Sequence, residues 1–122
     1  MKRDDTYTYD AIYPLEVTKG LPETKSVLKQ LEFEIASIRA RGGHLIKFVH
    51  DDRLGPSRDR LRAEVRRQLR VFHKEGRIIL MIPGETFSTS DSATCYLIDK
   101  CPQVELDRDM DKKNGDITVV YI

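Results

Sequence analysis

The sequence predicts an α/β domain, and three observations carry that prediction. Short apolar runs rich in β-formers alternate along the 122 residues with segments whose apolar residues recur every three or four positions. The first of these alternations, from Leu15 to Val49, has the order strand, helix, strand, and a crossover helix normally joins parallel strands with right-handed topology. The segment Ile117-Thr-Val-Val-Tyr-Ile122 is almost wholly apolar, which predicts a buried strand that is an integral member of the sheet.

Composition bounds the rest. With 39% apolar residues the chain predicts one domain with a core of its own, needing neither disulfides nor a structural metal. Residues 13–122 are assigned to that domain and 1–12 to an N-terminal extension. The opening Met1-Lys-Arg-Asp-Asp lacks the apolar stretch of a signal peptide, and the longest apolar run, Ile78–Ile82, is far short of a membrane span. The expectation is a soluble cytoplasmic protein with no membrane partner. Cys95 and Cys101 lack C-x-x-C spacing and have no histidine near them in sequence, so both read as reduced thiols.

Taken in order, Thr6 to Ile12 alternates Thr and Tyr, the pattern of a marginal edge strand or a frayed end. Leu15-Glu16-Val17 alternates as a strand, and Lys19-Gly20-Leu21-Pro22-Glu23 supplies a turn with Pro and an acid at a helix start. Val27, Leu28, Leu31, Ile35 and Ile38 then follow helical spacing until Gly42-Gly43 stops it. His44 to Val49 is a second strand, ending at His50 and a polar loop, Asp51 to Ser57. From Arg58, Leu61, Val65, Leu69 and Phe72 form one apolar stripe of a second helix, closed by Gly76. Ile78 to Ile82 predicts a third strand, ended by Pro83-Gly84. Ser90 or Asp91 caps a short helix through Leu97 and Ile98 that stops before Pro102. Leu106 to Gly115 reads as acidic and irregular. Within it Asp107-Arg-Asp-Met-Asp111 opens like a calcium loop, but Lys112 stands where Gly is needed and Thr118 where a bidentate Glu is needed, so an acidic surface turn is expected instead.

The second helix carries the functional signal. Arg58, Arg62, Arg66 and Arg70 are spaced four apart and line one flank, with Arg60, Arg67 and Lys74 beside them. Residues 53–77 hold nine Arg and Lys against three acids, an excess of six in a chain whose net charge is only +1. Like charges at that spacing repel unless something anionic lies against them, and segregated positive charge is the footprint of a nucleic-acid binder. A ladder of this kind also serves as a solvated face.

These residues in this order resemble a small MutS-related (Smr) domain of the stand-alone bacterial branch. The resemblance runs from about Leu15 to Ile122. It rests on the loop beginning at His50, on Leu61-Arg-Ala-Glu-Val-Arg-Arg-Gln-Leu69 and on Asn114-Gly-Asp-Ile-Thr-Val-Val-Tyr-Ile122, with Lys74-Glu-Gly76, Pro83-Gly-Glu-Thr-Phe87 and Cys101-Pro102 between them. It implies a βαβαβ(α)β two-layer sandwich: a four-stranded mixed sheet with two long helices packed on it, similar to the C-terminal domain of the third bacterial translation initiation factor. It also implies binding of DNA or RNA, often with nicking endonuclease activity.

The family's first motif, Leu-Asp-Leu-His-Gly, reads here Leu15-Glu-Val-Thr-Lys19, so its histidine is absent. The second, a histidine followed by glycines, reads His50-Asp-Asp-Arg53 and keeps only the histidine. Glycines after a strand let backbone N–H groups approach a phosphate, whereas two aspartates bring side chains and negative charge into that space. Asp51 and Asp52 then cap local backbone or pair with Arg53 and Arg58, or hold a divalent metal that bridges to phosphate, or mark a domain that no longer cuts. His50 is either an acid or base at the ligand edge or a structural hydrogen-bonding residue.

The expected function is phosphate-directed nucleic-acid binding through Lys19, Arg53, Arg58, Arg62, Arg66, Arg67 and Arg70. His50 and Asp52 are the catalytic candidates, and no metal ligands are assigned. No cofactor is required for binding, and Mg²⁺ or Mn²⁺ enters only with nuclease activity. The competing expectation is an inactive interaction module that meets an acidic protein partner; under either reading the chain is expected to be a monomer or weak dimer.

Overall fold

The computed structural model describes residues 11–14, 24–50 and 57–122, with side-chain surroundings for 27–50 and 60–122. Among the described residues four strands and three helices follow one another: β1 (Ala11–Pro14), α1 (Thr24–Ala40), β2 (Leu45–Val49), α2 (Ser57–Lys74), β3 (Leu80–Pro83), α3 (Ser92–Lys100) and β4 (Ile117–Tyr121). Short 3₁₀ turns at Gly84–Thr86 and Pro102–Leu106 flank α3.

The sheet order is β1-β2-β4-β3. β2, β4 and β3 form an antiparallel trio, with Phe48 opposite Thr118 and Thr118 opposite Pro83, while β1 runs parallel to β2. The ends of β1, β2 and β3 therefore share one edge of the sheet with the beginning of β4. The first described strand is Ala11–Pro14, which reaches into the segment assigned to the extension; the expected strand Leu15–Val17 falls among residues 15–23, outside the described region.

Strand alternation sorts side chains onto two faces. Ile46, Phe48, Val120 and Ile122 face α1 and α2, where they meet Val27, Leu31, Ile35, Ile38, Leu61, Val65, Leu69 and Phe72. These helical residues are the two stripes predicted from periodicity. Both helices end with glycine in the left-handed region, Gly42 at φ 77° and Gly76 at φ 76°, and in both the next residue's N–H reaches back to a carbonyl five positions earlier.

The opposite face is covered as well. Leu45, Ile82, Ile117 and Val119 pack against Phe87, Leu97, Val104 and Met110 from α3 and the turns around it. The described residues thus form three layers, where two were expected. The reason lies in residues 84–116: the sequence shows only one short periodic helix there, yet isolated apolar residues in turns suffice to bury a sheet face. Asp91 is the N-cap of α3, accepting from the Thr94 N–H at 3.0 Å.

The third strand begins two residues later than expected. Ile78 turns into the helical core, and Ile79 gives its N–H to the Tyr121 carbonyl while leaving its side chain exposed.

The expected acidic surface turn is partly an interior one. Lys47 lies in β2 on the same face as Leu45 and is only 2% exposed. Its ammonium is held by Asp107 at 3.1 Å and Asp109 at 2.6 Å. An unpaired buried ammonium is costly, so this strand residue draws two of the three aspartates inward. Burial works to raise the Asp109 pKa, but hydrogen bonds from Lys47 and Asn114 overcome it and hold it below the usual carboxylate value. Asp111 bonds instead to the N–H and hydroxyl of Thr89.

Candidate functional site

His50 follows β2 at the shared sheet edge, and its N–H donates to the Asp116 carbonyl at 2.9 Å. The ring is fully buried. Nε2 lies 2.8 Å from the Thr118 hydroxyl on neighbouring β4, and Nδ1 has no hydrogen-bond partner among the described residues. Burial first, then the positive charge of Arg66 and Arg62, lowers the pKa of His50 from 6.5 to about 4. The imidazole is therefore neutral at pH 7.

Arg66 reaches the same place from α2. Its Nε donates to the Thr118 hydroxyl at 3.2 Å, and Nη2 reaches the carbonyls of Gly115 at 3.3 Å and Ile117 at 3.2 Å. Nη1 and Nη2 also form a two-pronged contact with the Glu85 carboxylate, at 3.0 and 2.6 Å. Because Arg66 Nε donates into the Thr118 hydroxyl, that hydroxyl's own proton is available to His50 Nε2. This arrangement leaves the ring proton on Nδ1, as a donor. The Arg66 hydrogen bond is the main reason the Glu85 carboxyl titrates below its usual value, although burial opposes it.

Gly115 makes room for this convergence. A Cβ built there would lie 2.9 Å from Arg62 Nη1 and 3.1 Å from Glu85 Oε2. Arg62, half-buried, already sends Nη1 to the Gly115 carbonyl at 3.5 Å.

The residues expected to bind nucleic acid therefore separate. Arg66 is not an exposed rung of the ladder: it is 8% exposed and committed to β4 and Glu85, because the flank carrying Arg62 and Arg66 faces the sheet edge. Arg60, Arg67 and Arg70 are exposed, and Arg67 makes only a surface pair with Glu64. Lys19, Asp51, Asp52 and Arg53, and the side chain of Arg58, lie outside the described residues.

Sequence reasoning missed Glu85, Thr118 and Gly115. A polar Thr inside the run from Ile117 to Ile122, and an acid immediately after β3, were the available signals. On the other side of Glu85, a cavity of about 300 Å³ is bordered by Ser88, Ser90, Asp91, Asp111 and Lys113, so that with Glu85 its charged lining is three carboxylates and one lysine.

The fold and site together define a mixed α/β domain with an Arg, His and Glu cluster at the strand-end edge of its sheet. Comparison with protein families, curated proteins and solved structures finds no match for the chain. Among the described residues no helix is long and apolar enough to cross a membrane, and no group of three or more His, Cys, Asp or Glu is placed to hold a metal ion.

Proposed function

We propose that this chain is an Smr-like domain that binds DNA or RNA through phosphates, using the outer face of α2 and the arginine-lined sheet edge beside it. The observation that carries the reading is the convergence of Arg62, Arg66 and a neutral His50 at the edge where β2 and β3 end, with Arg70 one turn beyond Arg66 and Arg60 and Arg67 exposed on the outer face of the same helix. In α/β sheets this edge is where ligands collect. Support for the Smr-like and initiation-factor-like part of the reading is the element order and the seating of both long helices on one face; the layer built by α3 is a departure from it. The acidic lining beyond Glu85 repels phosphate, which directs a nucleic acid to the α2 side.

The reading is binding without efficient cleavage. A histidine whose pKa lies about 4 is a weak base at neutral pH and carries no proton charge to give a leaving group.

The test replaces Arg60, Arg67 and Arg70 with Gln and titrates single-stranded, duplex and branched DNA and RNA at several salt concentrations. Each lost phosphate contact removes about 0.9 from the slope of log K against log salt on B-DNA, or about 0.7 on a single strand. The triple variant should weaken binding to all sequences alike and flatten the slope by roughly two to three units, with little change in melting temperature. Gln at Arg108, Lys112 and Lys113 should do much less. Equal binding by the two variants rejects the proposal and leaves α2 as a solvated face, or one that meets an acidic protein.

A further inference from the structure

We infer that Glu85 is a displaceable internal ligand: its carboxylate occupies the anion position of Arg66, and a phosphate group binds by taking its place. This rests on the phosphate-binding reading of the same edge and adds how that edge is kept closed.

The contacts of Arg66 divide into two kinds. Those to Thr118 Oγ1 and to the carbonyls of Gly115 and Ile117 come from β4 and the turn before it, and they fix the plane of the guanidinium. The remaining fork is taken by a side chain that is 43% exposed, whereas that of Arg66 is 10% exposed. The two partners are thus unequally held: Arg66 cannot leave, and Glu85 can rotate into solvent.

The backbone beneath Glu85 is pinned. Gly84 lies so close to Asn114 that an added Cβ would fall 1.7 Å from its carbonyl oxygen. Displacement therefore needs only side-chain torsions of Glu85.

A guanidinium fork accepts carboxylate and phosphate with the same two-pronged geometry. Inorganic phosphate or a terminal phosphate monoester has a third free oxygen and, near pH 7, more charge than a carboxylate. Arg62, beside Gly115, is the cation nearby that can use them. Both Arg66 and Arg62 act on His50 strongly enough to depress its protonation, which places all three in one electrostatic neighbourhood. A site whose competent form must first release its own carboxylate binds more weakly by the fraction of time it is open. Glu85 accordingly lowers the affinity of every anion by the same factor, and preference for a phosphate monoester over carboxylate or chloride comes from the added charge of Arg62.

The experiment compares the parent, Glu85→Gln and the double variant Arg66→Gln/Glu85→Gln by thermal melting in inorganic phosphate and in chloride of equal ionic strength. Glu85→Gln should melt lower in chloride, regain most of the loss in phosphate, and bind phosphate about tenfold more tightly than the parent. The double variant should not respond to phosphate. An equal response from parent and Glu85→Gln, or any specific response from the double variant, overturns the inference.

A second measurement uses the unaltered protein. Saturating phosphate should shift the Arg66 Nε–H resonance and move the Glu85 carboxyl carbon to its solvent-exposed position; phosphate binding that leaves Glu85 unmoved overturns the inference. Oligonucleotide binding by the parent and Glu85→Gln separates the two proposals. Phosphate exchange without oligonucleotide affinity upholds the role of Glu85 and removes the nucleic-acid reading.

Discussion

Single side chains here are defined by the partners that two or three distant segments supply. His50 has the clearest measurable consequence. Its folded pKa of about 4 lies below the unfolded value of 6.5, so as pH falls the unfolded chain takes up a proton that the folded chain refuses. The stabilisation is fully present above pH 6.5, drains away between about 6.5 and 4, and levels off below. About 3 kcal/mol is involved. Urea unfolding at steps of pH should show that loss, and His50→Asn should remove most of the slope in this window; an unchanged slope would place the titration elsewhere. Arg66 illustrates the opposite case. Its spacing marked it as one of four equivalent ladder rungs, but spacing cannot tell a flank that faces solvent from one that faces a sheet edge. Lys47 was equally opaque: one lysine in an apolar strand is interpretable only once Asp107 and Asp109, sixty residues on, are seen beside it.

At the scale of elements, both long helices and the run from Ile117 were legible because their signals are local and periodic. The apolar stripes of α1 and α2 predicted which residues would be buried, and Asp91 was named as one of two possible caps of α3. What stayed hidden was the layer made by α3 and the 3₁₀ turns, since Phe87, Val104 and Met110 follow no period. The same limit concealed the site, whose parts come from α2, the end of β2, the turn after β3 and the start of β4. Gly84 ties two of those segments together. Its backbone conformation is an ordinary one, and it is glycine because Asn114 leaves no space. Gly84→Ala should force the turn after β3 away from the start of β4, at a cost of about 3 kcal/mol. Calorimetry should record a fall in melting temperature on the order of 10 °C, and the Arg66 and His50 resonances should move together. A variant that melts with the parent would mean that the turn yields freely.

For the whole molecule, the decisive strand is β4. It lies between β2 and β3, supplies residues to both cores and gives Thr118 to the site. Removing residues 117–122 should abolish cooperative melting and leave a protein that binds hydrophobic dyes; a sharp transition near the parent temperature would show that the helices and remaining strands hold together without it. The position of β4 also constrains the order of events during synthesis. β2 and β3 leave the ribosome first, but they are not neighbours: β2 can pair only with β1, and β3 has no strand to pair with until β4 is made. The two helices can collapse on their apolar faces early, while the sheet must wait for a contact that spans about seventy residues of chain. During that interval β2 and β3 offer unpaired edges, which is when a nascent chain is most open to chaperones and to aggregation. Variants that slow the docking of β4 should therefore reduce soluble yield more than their effect on equilibrium stability would indicate.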